Sequence, residues 1–463
     1  MPLLYLSYNV LVLFKHLLNG VNSSFLVVLV IFMKFDTIIF DLDGTLIDTL
    51  DDLMDSVNFA LDKFGFPSRN LDEIRSFVGN GVKRLVYLSV PEGTDAAAFA
   101  ETMPASDARV TYVGRTWVEG NDVSFDWTGV YFRLSFSGKS LTMRASDTKW
   151  AESPEWMAKR HNYYNVWIDA PMSAEPHRII EVASTDTVIE LIDPAYLKSS
   201  KLKQHTVIVQ KRTEGEQGKM TIHEFATDAK GAFYQAEPIR KRQLEFIGAS
   251  YDCGYGVDDP SRLAKFTPET ENASRSFCAI ISRYFDADYV VVAHSGMGAA
   301  RNYNSKFDGY HMPDRYLQTF DMDSAQATRW NAAESDIRPA LTCIYLGGND
   351  FSVALQPSYE KFRDGYYRLI RYIKDNYGED HPVLCVSSKS HSTLLDYMRD
   401  MVNTCPMPNV HFMACCPALY LSTDEDLGAS MHPNYIGHQK FSYAYIPYVA
   451  TITGWGLQDN PVK

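Results

Sequence analysis

The sequence predicts an α/β protein. It reads as a C-terminal domain with a parallel sheet, an antiparallel β-sandwich before it, and an incomplete α/β fragment before that. Three observations carry this. From 243 onward, short apolar runs alternate with helical periodicities. From about 107 to 240 the texture is period-two runs bounded by Gly, Asp, Asn, Ser or Pro. At 34–100 one strand-like run and a few helical segments stand without the strands that would complete a sheet.

In chain order, residues 1–33 are an apolar extension broken by Lys15 and His16, and neither apolar run reaches the ~20 residues of a membrane-spanning helix. The second run, FLVVLVIFM (25–33), has the look of a signal core but no small-x-small cleavage site follows it. MKFDTIIFDLDGTL begins directly, so Met33 reads as a natural start. TIIFDLD then predicts a strand, and LDDLMDSVNFALDKFG (50–65) an amphipathic helix ended by Gly65 and Pro67. Further helix is expected around 72–90. The sandwich (107–240) draws its strands from VYFRLSFSG (130–138), SLTMRAS (140–146), YYNVWIDA (163–170), RIIEVAS (178–184), HTVIVQKRT (205–213) and MTIHEFATD (220–228). The last domain (243–463) has strands at QLEFIGAS (243–250), DYVVVAHS (288–295), LTCIYLGG (341–348), PVLCVSS (382–388) and NVHFMAC (409–415). Helices are expected at 357–378 and 391–404, and linkers around 100–106 and 229–242.

The net charge of −13 and the lack of a basic stretch with interleaved aromatics argue against nucleic acid as a partner, and the broken apolar runs argue against a membrane. Aromatic residues are 13% of the chain, an enrichment that suits β-rich cores and sugar-stacking surfaces alike. Trp127, in FDWTGVYF, reads as sandwich core before sugar platform. All seven cysteines follow residue 250, with no CxxC, and several sit in apolar runs; buried free thiols are expected.

Four segments carry chemistry: FIGASYDCGYG (246–256), HSGMGAARNY (294–303), YLGGNDFS (345–352) and MHPNYIGHQ (431–439). Functional residues of a parallel sheet lie at the carboxyl ends of its strands. Ser250 ends the first strand, and a serine hydroxyl becomes a nucleophile when a base removes its proton. His432 is the candidate base. The backbone N–H groups of Ser250 and Gly296 and the side chain of Asn349 are the candidate oxyanion donors. Taken singly each is a common turn residue; together, in order, they specify an ester hydrolase.

At these residues the chain resembles the SGNH (GDSL-like) hydrolase superfamily, and in the FIG-x-S start, CGYG, SGxG followed by RNY, GGNDFS and HPN-xx-GHQ it resembles carbohydrate esterase family 2. The resemblance covers about 107–463. It implies a flavodoxin-like hydrolase domain after a jelly-roll sandwich, and deacetylation of acetylated plant polysaccharides such as xylan or glucomannan with neither cofactor nor metal. It further implies that the protein is exported, although the first 100 residues hold no clear secretion signal. The chain departs from the pattern where the acid of a triad would stand: three residues before the histidine is Ala429, and two before it is Ser430. A Ser250–His432 dyad whose imidazole is oriented by a backbone carbonyl is therefore expected, with Asp424 and Asp426 the weaker candidates. Ala249 stands where the superfamily's name motif has Asp. Tyr255, Arg301, Tyr303 and Met431 are candidate cleft-lining residues, with Arg301 equally readable as a structural partner of a carboxylate.

FDLDGTLIDT (40–49) resembles the first motif of haloacid dehalogenase-like phosphatases, and SFVGNGVKRLV (76–86) their phosphoglycolate phosphatase-like cap. The resemblance makes Asp41 the phosphoryl-accepting nucleophile and Asp43 the acid/base. It stops near 100, before the Ser/Thr, Lys and paired-Asp positions such an enzyme needs for Mg²⁺; Asp258–Asp259 reads as a turn. The N-terminal motif is thus expected to be vestigial, the mark of a fusion, recombination or mis-joined frame. A Mg²⁺-dependent phosphatase and a non-catalytic carbohydrate-binding protein are the two rival readings.

Overall fold

The computed structural model describes residues 50–63, 66–77, 88–89, 91, 101–149, 161–228, 230–307, 309–323, 328–388, 392–415 and 424–462. The apolar extension, Asp41 and Asp43 lie outside these residues. The chain divides into two compact units, Met1–Phe99 and Ala100–Lys463. In the first, α1 (Leu50–Lys63) and α2 (Leu71–Phe77) are described. Asn58 ties them, accepting from the Arg69 N–H and donating to the Arg69 carbonyl.

The second unit begins with two antiparallel sheets, the jelly-roll-like layer. One runs β3 (Trp117–Glu119), β4 (Asp122–Phe125), β11 (Lys219–Thr227), β6 (Leu141–Thr148), β9 (Thr187–Glu190), with β1 (Glu101–Pro104) also on β11. The other runs β12 (Ala232–Tyr234), β5 (Tyr131–Ser137), β10 (His205–Lys211), β7 (Asn162–Ile168), β8 (Arg178–Val182), with β2 (Thr111–Val113) also on β5. Strand β6 alternates buried and accessible residues along its length, as a sheet with one face in solvent requires. Strand β5 is buried almost throughout because its second face packs on the α/β layer. There Tyr131 and Arg133 both bond the buried Asp288, and Gln210 donates to the Tyr289 hydroxyl. Trp127 is core, its indole N–H on the Thr319 carbonyl. The segments read as linkers at 100–106 and 229–242 supply β1 and β12, strands of four and three residues, too short for their alternation to show in sequence.

The α/β layer is a parallel sheet in the order β14 (Asp288–Ala293), β13 (Gln243–Gly248), β15 (Leu341–Ile344), β16 (Val383–Ser388), β17 (Val410–Cys415). Its side chains alternate between two cores. Leu244, Phe246, Val291, Cys343 and Leu384 face Phe277 of α5 (Phe277–Tyr284) and Phe441 and Tyr445 of α9 (Tyr435–Thr453). Ile247, Val292, Ile344 and Cys385 share the other core with Phe362, Tyr366 and Ile370 of α7 (Tyr359–Tyr377) and Met398 of α8 (Ser392–Asn403). Three further short helices complete the described set: α3 (Pro194–Ser199), α4 (Ser250–Cys253) and α6 (Met312–Arg315). Cys253, Cys278, Cys343, Cys385, Cys405 and Cys415 are free thiols. Among the described residues no helix is long and apolar enough to cross a membrane. The first strand in sequence, β13, lies between β14 and β15, so consecutive connections leave it in opposite directions. The crevice at its carboxyl end is the switch point where such sheets bind ligands.

Candidate active site

Ser250 opens α4 two residues after the end of β13, with Ala249 between. The turn is tight: a Cβ on Gly248 would fall on the Asp252 carboxylate, and Gly254 ends the helix in the left-handed conformation at φ 73°. Asp252 is buried, accepts the Ala249 N–H at 3.1 Å, and is pushed up to about 7 by that burial.

His432 reaches this point from a loop before α9. Its Nε2 lies 2.8 Å from Ser250 Oγ and its Nδ1 lies 3.0 Å from the Ser430 carbonyl. A carbonyl oxygen only accepts, so Nδ1 carries the hydrogen and Nε2 is left to accept from the serine hydroxyl. Burial holds the imidazole below its ordinary pKa, against the opposing pull of the Ser430 carbonyl, which keeps the ring neutral at pH 7. The carbonyl faces the ring because Ser430 and Met431 are both left-handed, at φ 55° and 64°. Non-glycine residues in that region cost on the order of 1–3 kcal/mol each. Backbone bonds hold them there: Ala429 N–H to Gly256 O, Ser430 N–H to Ala264 O, Met431 N–H to Arg262 O. Gly256 of CGYG must be glycine, since its φ is 66° and a Cβ would meet the Ala429 Cβ at 2.7 Å. Asp426, 2% exposed, bonds Lys440 at 2.6 Å, so this acid is committed elsewhere.

Gly296 and Asn349 follow β14 and β15. Among the described residues the N–H groups of Ser250 and Gly296 have no protein acceptor. The Asn349 amide donates one hydrogen to the Met297 carbonyl at 2.8 Å and keeps its second. The two loops are locked reciprocally. Asp350 accepts the N–H groups of Ala299, Ala300 and Arg301 at 2.7–3.0 Å, and the Arg301 guanidinium donates to the carbonyls of Asn349 and Asp350. Arg301 is 0% exposed, so it underlies the Asn349 turn and does not line the cleft. Ser250, Tyr251, Met297, Tyr345, Gly348, Asn349 and His432 are among the residues around a cavity of about 230 Å³. Tyr255 stacks on Phe266 and lies with its ring 4.5 Å from that of His432, outside the cavity lining. Tyr303 and Met431, 63% and 51% exposed, are also outside it.

A larger groove, about 1050 Å³, lies around Trp117, Gln243, Trp330 and Arg338 at the opposite end of the sheet, with no nucleophile–base pair. Asp258 is paired with Arg212 and Arg275. Glu214, Cys253 and Glu271 form a fully buried group with one possible ligand atom from each, all within 4.8 Å of one another. Composition and spacing pointed to Ser250, Gly296, Asn349 and His432; they singled out neither Asp350 nor Glu214. Asp350 closes the GGND motif and could have been found there, whereas Glu214 sits in a strand connection with no signature.

Residues 112–236 match the family model described as Carbohydrate esterase 2 N-terminal, and residues 38–109 that of Haloacid dehalogenase-like hydrolase. The chain is 27% identical over 366 residues to Cellulase/esterase CelE of Acetivibrio thermocellus, covering 77% of this chain and 41% of CelE. It is 27% identical over 292 residues to an Acetylxylan esterase / glucomannan deacetylase of Cellvibrio japonicus, covering 60% of this chain and 72% of that one. It is 31% identical over 102 residues to a Phosphoglycolate phosphatase of Pseudomonas syringae, covering 22% of this chain and 37% of that one. Among solved structures, a family two carbohydrate esterase from Clostridium thermocellum in complex with cellohexaose superposes with a TM-score of 0.64 at 25% identity, over 75% of this chain and 99% of that one. The sandwich and α/β layers thus share the carbohydrate esterase family 2 fold.

Proposed function

We propose that the protein is a carbohydrate esterase that removes O-acetyl groups from plant cell-wall polysaccharides of the xylan or glucomannan type, through a Ser250–His432 dyad and an acyl-enzyme. The observation that carries this is the hydrogen-bonded chain from Ser250 Oγ through the His432 imidazole to the Ser430 carbonyl, beside a small cavity lined by Asn349. Ser250 Oγ attacks the acetyl carbonyl while His432 Nε2 takes its proton. The oxyanion is held by the N–H groups of Ser250 and Gly296 and the free amide hydrogen of Asn349. Collapse expels the sugar hydroxyl, protonated by His432, and leaves acetyl on Ser250. Water, activated by the same nitrogen, then releases acetate. The Ser430 carbonyl takes the part a triad acid plays elsewhere: it fixes the tautomer and stabilises the imidazolium.

A cavity of 230 Å³ is smaller than the roughly 300–1,000 Å³ of drug-sized pockets, which suits an acetyl group with its sugar carbon while the polysaccharide stays outside. The nucleophile is generated by a histidine, so acetate release is expected to persist in EDTA. The test is acetate release from acetylated xylan and glucomannan in EDTA, comparing the full chain with Ser250→Ala. The variant should lose the activity by about 10³-fold or more; equal release from both proteins would overturn the reading.

A further inference from the structure

The sandwich does more than flank the α/β layer: the connection between β10 and β11 enters it behind the site. We infer that Glu214, on this connection, is a positioning residue of the esterase centre, holding the Gly296 loop and the nucleophile helix in one geometry. The inference rests on the esterase reading above and goes beyond it.

Glu214 is 1% exposed. Its Oε2 accepts the N–H of Ser295 at 2.7 Å, one residue before the proposed oxyanion glycine. The same oxygen lies 3.8 Å from the thiol of Cys253, the last residue of α4, which Ser250 opens. One carboxylate therefore spans the loops that follow β13 and β14. A bond to the Ser295 N–H fixes the peptide plane there and limits the rotation that would re-aim the next N–H, that of Gly296. Burial and the neighbouring Glu216 raise the Glu214 carboxyl above its ordinary value, against the pull of His294 and the Ser295 N–H, and in either protonation state an oxygen remains to accept that N–H.

The carboxylate is itself immobilised. The Glu214 N–H donates to Glu271 at 3.1 Å and its carbonyl accepts from Lys211 Nζ at 2.9 Å. Gly215 leaves no room for a side chain, since a Cβ there would be 2.4 Å from Asp321 Oδ2. Asp321 and Glu216 in turn grip His294, at 2.8 and 3.3 Å, on the residue that precedes Ser295. Burial and Arg315 would lower the His294 pKa, but these two carboxylates lift it to about 10, so the ring is an imidazolium. It lies 4.0 Å from Glu214 Oε2 and offsets a negative charge that would otherwise oppose the developing oxyanion.

The test is steady-state acetate release by Glu214→Met and Glu214→Gln, full chain, beside wild type and Ser250→Ala. Methionine keeps the volume but removes the acceptor; glutamine keeps an oxygen for the Ser295 N–H. Glu214→Met should lower kcat by about 10- to 100-fold with KM within about threefold, and Glu214→Gln should recover kcat to within about fivefold of wild type. Should Glu214→Met not fold, Glu214→Gln in EDTA is read alone against the same limit. Wild-type kcat in Glu214→Met, or Met and Gln variants equally slow, would overturn the inference. So would one bound metal per chain whose removal by EDTA abolishes activity, since Glu214 would then be a ligand with Glu271 and Cys253. Full activity in Ser250→Ala would instead strike the esterase reading.

Discussion

At the scale of single residues, the site depends on which nitrogen of His432 carries the hydrogen. The Ser430 carbonyl settles this without an acidic side chain, at the expense of two left-handed residues held by three backbone bonds. A pH dependence follows. The proposed base, His432, would work only when neutral, and burial places its pKa below the ordinary 6.5. Activity should therefore be full at pH 7 and fall as pH drops through a midpoint under 6.5, read as kcat/KM against pH on a soluble acetyl ester. A midpoint above 6.5 would contradict this environment. The same residue-level packing bears on Tyr255, which in sequence looks like cleft wall and in the fold packs its ring against the His432 imidazole without being among the residues that line the cavity.

At the scale of elements, the Gly296 and Asn349 loops form one unit through Asp350 and Arg301. Asp350 is buried and pushed up to about 6 by that burial, against the pull of three backbone N–H groups. Asp350→Ala strands those N–H groups and leaves Arg301 buried without its partner turn in place. Such losses cost about 2–4 kcal/mol, measurable by urea unfolding, with a fall in kcat of about 10- to 100-fold as Asn349 shifts. An unchanged kcat would mean that Asn349 is held by the Met297 carbonyl alone. Helix α9 is another element decision. Its buried line from His438 to Ala450 is regular, but Ile436, Tyr443 and Tyr448 are exposed on other faces. Apolar residues all round hide the amphipathic contrast by which α7 was legible.

At the scale of the whole molecule, the sandwich and α/β layers are one unit, whereas residues 1–99 are another. The second unit superposes on family two carbohydrate esterases over 99% of the solved chain, so it has the parts such a fold needs. A chain truncated to 100–463 should fold and release acetate at a rate within about twofold of the full chain, checked by circular dichroism and steady-state assay. Loss of folding would show that the first unit is required. Cutting instead between the layers, after residue 240, should abolish activity, because Arg133 loses Asp288 and the Ser295 N–H loses Glu214.

Reading the chain alone established the two textures, the strand-by-strand course of the parallel sheet, and the order of Ser250, Gly296, Asn349 and His432. These are local properties: burial of one or both faces writes itself into apolar periodicity, and sharp turns at strand ends demand glycine, asparagine and serine. The fold alone decided that Arg301 lies under the site, that Ser430 orients His432, that the segments around 101–104 and 232–234 are strands, and that a glutamate of the sandwich touches the Gly296 loop. Each of these rests on partners far apart in sequence or on a backbone angle. A side chain's partner is chosen by the path of the chain in space, and no residue's neighbours in sequence record it.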